Sequence, residues 1–100
     1  MLERKERLTR AAIAAGAGWA ERERAALVTE GRLPEGGWPG TMTEARQVAH
    51  SSLDERAILP PLTPDERTWM ARTTYAEARR KWRTWASEVE RAARRNVDED

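Results

Sequence analysis

Apolar residues recur three and four positions apart along this chain and nowhere alternate with polar ones over six residues, a pattern that predicts helices and no strands. Leu8, Ala12, Ala15, Trp19 and Ala26 form one stripe of a first helix expected over about Leu2 to Glu30. Gly16 and Gly18 interrupt it, each costing roughly 1 kcal/mol relative to alanine. Two outcomes are open there: the helix runs on and lets another helix approach closely, or it breaks. Gly31 stands where a helix ends in a left-handed residue. Residues 32–40 hold two prolines and three glycines, so they read as a loop in which Trp38 needs cover from a neighbouring helix.

A second helix is expected over 42–59. Thr41 and Glu44 have the spacing of a capping box, and Met42, Ala45, Val48, Ala49 and Leu53 make the apolar face. Ser52 and Glu55 repeat the box, so the stretch is one helix ending near Leu59 or two short ones, stopped by Pro60 and Pro61. The third helix, 64–96, has the strongest start. Thr63 caps, Pro64 takes the first position, and Asp65 and Glu66 complement the dipole. Ala71, Tyr75, Ala78, Trp82, Trp85, Val89 and Ala92 follow at alternating spacings of four and three, a heptad seam three repeats long. The fold expected is all-α, three helices running up-down-up, in one domain over 1–97 with an acidic tail at 98–100. Because the third helix is much longer than the second, its half from Trp82 onward is expected to project past the core and to need a partner.

Composition sharpens this picture. Five tryptophans carry most of the aromatic surface, and only 22 residues are large and apolar, a thin core that oligomerisation or partner binding naturally supplements. Net charge is +1, but residues 63–97 hold nine cations against five carboxylates, and 98–100 are all acidic. A uniformly basic nucleic-acid binder is therefore not indicated. Without cysteine there is no disulfide framework and no thiolate metal site. No apolar run approaches 18 residues, and the charged N-terminus lacks a signal peptide's apolar stretch, so no membrane contact and a cytoplasmic location are expected.

An enzyme is hard to assemble from these residues. His50 is the sole histidine and reads as a surface residue near a helix end. No metal-ligand spacing, phosphate-cradling loop, cofactor site or small-molecule substrate site is evident. The segment from Arg79 to Trp85 is the best candidate for function. Its indoles lie on the seam, while Arg72, Arg79, Arg83 and Arg94 fall on the opposite side, with Arg80 and Arg91 beside them. Tryptophan and arginine most often carry interface energy. The residues expected to bind a protein partner, or a second copy of the chain, are Arg79, Arg80, Trp82, Arg83, Trp85 and Val89. A short, Arg- and Trp-rich chain of this kind suits a bacterial or phage accessory or regulatory factor.

The stretch Ala11–Pro34, AAIAAGAGWAERERAALVTEGRLP, resembles the helix-turn-helix of excisionase-type and MerR-type DNA-binding regulators. The resemblance places a turn at Gly18, an apolar residue at Trp19, and Glu21, Arg22, Arg24 and Ala25 on a groove-facing helix. It departs from the family at Arg24, where the pattern has a buried aliphatic residue, and it lacks the two-stranded wing. What it implies is a transcriptional regulator contacting DNA through that segment, where Arg22, Arg24 and Arg32 are available; the alternative contact is the arginine strip of the third helix, with Arg72, Arg79 and Arg83.

Overall fold

A computed structural model gives the fold; the described residues are 3–53, 58 and 60–99, and for 96–99 only the backbone. Three helices follow one another: α1 (Arg4–Thr29), α2 (Met42–Ser51) and α3 (Pro64–Glu99). All three pack on one another: α1 and α3 run parallel in direct contact, and α2, antiparallel to them, packs mainly on α3, the up-down-up order.

The helix ends follow local chemistry. At the end of α1, Gly31 has φ +74°, its N–H donates to the Val28 carbonyl at 3.0 Å, and the Arg32 N–H donates to the Leu27 carbonyl at 2.8 Å. These two bonds are a Schellman motif closed by glycine. At α2 the capping box forms: the Glu44 N–H donates to Thr41 Oγ1 at 3.1 Å and the Thr41 N–H to Glu44 Oε1 at 3.1 Å. The second helix stops at Ser51, well short of the expected Leu59. The hydroxyls of Ser51 and Ser52 turn back to the carbonyls of Gln47 and Val48, competing with helix propagation. Glu55, the far half of the second expected box, and Leu59 lie outside the described residues. At the other extreme α3 continues through Asp98 and Glu99, past its expected end at 96.

Gly16 resolves the alternatives at α1: the helix runs unbroken, and glycine is where α3 comes closest. A β-carbon at Gly16 meets the backbone carbonyl oxygen of Thr74 and lies 3.2 Å from the Ala78 nitrogen. Beside this crossing the buried Thr74 hydroxyl donates to the Ala12 carbonyl at 3.2 Å. Two apolar clusters flank it. One joins Leu8, Ala12 and Met70, with Leu62 and Trp69 against them. The other joins Trp19, Trp38 and Trp82 with Ala20, Ala45 and Ala78. Trp38 stands edge-on to both partners, 4.8 Å from Trp19 and 5.4 Å from Trp82 between ring centres. Gly40 passes over this stack so closely that a β-carbon there falls 2.5 Å from Trp19 and 2.6 Å from Trp38. The loop tryptophan is thus covered as its sequence setting requires.

Arg4 fastens the starts of α1 and α3. Its guanidinium bonds both Glu66 carboxylate oxygens, at 2.8 and 2.9 Å, and the carbonyls of Pro60 and Pro61. Glu66 also completes a capping box with Thr63, accepting from the Thr63 N–H at 2.9 Å. Hydrogen bonds from Arg4 and then from the Thr63 backbone draw the Glu66 carboxyl down to about 2 from 4.5. A carboxyl with a lowered folded pKa adds stability that is complete above the unfolded value and fades as pH falls toward the folded one. Urea unfolding across the acid range is therefore expected to lose stability between pH 4.5 and about 2, with a shallower fall in Glu66→Gln.

Candidate docking surface on the third helix

The parallel register of α1 and α3 decides which seam residues are covered. Arg4 meets Glu66 and Ala12 meets Thr74, both 62 positions apart, so the same offset sets Thr29 level with position 91. The seam is therefore core up to Trp82 and divided after it. Trp82 is 3% exposed, wedged against Trp38. This corrects its expected role as a partner anchor, because a ring that closes the subunit's own core has no face left to offer. It also shortens the projecting part of α3, expected from Trp82 and found from about Arg91. Trp85 is half-buried, with the Arg24 guanidinium 4.6 Å above its ring and the Lys81 ammonium at 5.7 Å. Both are cation–π contacts. Val89 is half-buried, and Arg91 through Arg95 are exposed.

Beside this seam the loop of residues 31–40 forms a wall. Glu35 and Gly36 face Arg83, Ala86, Val89, Glu90 and Ala93 across an open groove of about 510 Å³. Small side chains make its floor, and Gly36, at φ +70°, keeps the wall low. No sequence pattern brought 35–36 to the helix; Trp38, buried in the core, carries that loop there.

The arginines divide. Arg72, Arg79 and Arg83 share one exposed face of α3 and have no ion pair among the described residues. Arg80, also in the candidate segment, is paired instead with Glu77 at 2.6 Å, which holds that carboxyl below its ordinary range. Arg94 is paired with Glu90 at 2.7 Å. The three arginines outside α3 go elsewhere: Arg24 lies over Trp85, Arg32 reaches Glu30 at 3.4 Å, and Arg22 borders the end of α2 with Gln47 and Ser51. The six assigned to nucleic acid are thus not one row. At Gly18, where the helix-turn-helix resemblance places a turn, α1 is helical.

His50 is exposed in the last turn of α2, beside a cavity of about 300 Å³ between α2 and the start of α3. Among the described residues no three His, Cys, Asp or Glu side chains are grouped to hold a metal ion, and no helix is long and apolar enough to cross a membrane. No protein-family model, no curated protein and no solved structure matches the chain.

Proposed function

We propose that the chain is a non-catalytic helical interaction module, an accessory or regulatory factor that docks a protein partner on the outer end of α3. Trp85 and Val89 are its apolar anchors, Ala86 and Ala93 the floor a partner side chain reaches, and Arg79 and Arg83 the charged rim. The observation that carries this reading is that the seam of α3 is closed at Trp82 but only half-buried at Trp85 and Val89, while α3 runs on to Glu99 past the end of α1. A half-exposed tryptophan with arginine beside it is the composition in which interface energy concentrates.

Photo-cross-linking in the native host tests it. A benzophenone side chain at position 89 is expected to trap a protein of defined mass, whereas the same group at Ala14, on the exposed side of α1, traps none. Equal, unspecific labelling from both positions sinks the proposal. A second reading, contact with a nucleic-acid backbone, has one observation in its favour, the unpaired row of Arg72, Arg79 and Arg83. Three phosphate contacts weaken duplex binding about 40-fold between 50 and 200 mM salt. An apolar protein interface hardly responds to that change, so a salt titration separates the two.

A further inference from the structure

We infer that the cavity between α2 and the start of α3 binds a small amphipathic anion, a carboxylate carried on a short aliphatic chain. The cavity lies toward the opposite end of α3 from the docking surface, so it stands or falls separately. It exists because the inward residue in the last part of α2 is small. Ala45 packs closely into the cluster of Trp19, Trp38 and Trp82, but one turn on, at Ala49, no larger side chain fills the space before Met70. Met70 and Ala49, 2% and 6% exposed, make the floor, and the half-buried Leu53 and Leu62 make the sides. Both leucines pack on the cluster of Leu8, Ala12 and Met70, so the cavity is continuous with the apolar core. Its volume, about 300 Å³, suits a small ligand.

The edge of the cavity is basic. Arg46 from α2 and Arg67 from α3 border it, with His50 and Thr68 beside them, and no carboxylate lines it among the described residues. Arg46 is exposed and has no ion pair among the described residues, so its guanidinium is open to a bidentate carboxylate. An apolar floor below a cationic edge favours a ligand that has both parts. A neutral chain gains nothing from Arg46, and a bare anion gains nothing from Met70 and the leucines. No aromatic ring lines the cavity, so nothing there stacks on a flat ligand, and a flexible chain fits better.

Octanoate titrated into the full chain is the probe, followed by NMR of backbone amides and methyl groups, with octanol and acetate as its neutral and tailless counterparts. The expected result is saturable shifts confined to the surroundings of Arg46, Ala49, Leu53, Leu62 and Met70. The dissociation constant falls on the order of 0.1–1 mM for a ligand of about ten heavy atoms. Octanol binds roughly fivefold more weakly, and acetate leaves the floor methyls unmoved. Arg46→Ala weakens octanoate about fivefold and leaves octanol as it was, a split that damage to the fold does not produce. Arg46 is on the outer side of α2, so melting of the variant stays that of the parent. Octanoate shifts that do not saturate by about 10 mM overturn the inference. So does octanol binding as tightly as octanoate, or an Arg46→Ala chain that binds octanoate as the parent does.

Discussion

Gly16→Ala unfolds at a temperature roughly 5–20 °C below the parent, while Gly18→Ala, two residues away on the same helix, is unchanged or gains up to about 1 kcal/mol. Both changes improve helix propensity by the same amount, so propensity alone predicts two stabilised proteins. The difference lies in what the new methyl meets. At Gly18 the nearest atom is the tip of the Arg22 side chain at 3.4 Å, which swings aside. At Gly16 it is the backbone carbonyl of Thr74, with the Glu77 β-carbon at 3.0 Å, and none of these atoms moves unless α3 moves. Separating the helices there also lengthens the Thr74–Ala12 hydrogen bond, which leaves the buried Thr74 hydroxyl poorly satisfied. Overpacking of this kind costs about 1–3 kcal/mol before the hydrogen bond is counted. Thermal or urea unfolding of the pair is the measurement, and equal shifts in the two variants contradict the close crossing.

The same glycine shows where sequence reading stops. The cost of glycine in a helix is local and visible; the carbonyl that makes glycine necessary belongs to a residue 58 positions away. Helix ends were legible for the converse reason. Thr41 with Glu44, Thr63 with Pro64, and Gly31 are each explained within one turn, and each caps as its spacing predicts. Even there a reciprocal bond went unread, since Thr63-Pro64-Asp65-Glu66 has capping-box spacing and Glu66 reaches back to the Thr63 N–H. Of the two outcomes open for 42–59, a single helix to Leu59 does not form: the apolar face continues to Leu53, but consecutive serines already divert the carbonyls. On α3, periodicity put Trp82 and Trp85 on one seam and no wheel separates them. What separates them is what tertiary packing lays on each: Trp38, Ala20 and Ala45 close over Trp82, whereas Arg24 and Lys81 lie over Trp85. Arg24, read as a DNA contact, lies over Trp85 for the same tertiary reason.

That separation gives the second large effect. Trp82→Ala is expected to cost about 3–5 kcal/mol, the range for emptying a buried aromatic site, and in a domain with a core this thin that removes most of the folded population. The hole opens against Trp38, whose ring then loses one of its two edge contacts, worth about 0.5–1.5 kcal/mol beyond buried area. Trp82→Phe keeps most of that packing. It also deletes an indole N–H that is buried with no acceptor among the described residues, as is the N–H of Trp38, so its cost falls well below that of alanine. Trp85→Ala behaves differently. The ring is half-buried under Arg24, and its loss costs about 1–2 kcal/mol, leaving a folded chain whose cross-link from position 89 disappears. Chemical unfolding of the three variants beside cross-linking of Trp85→Ala checks the division. If Trp82 and Trp85 cost the fold equally and Trp85→Ala still cross-links, the seam is core along its whole length and α3 has no separate face to give a partner.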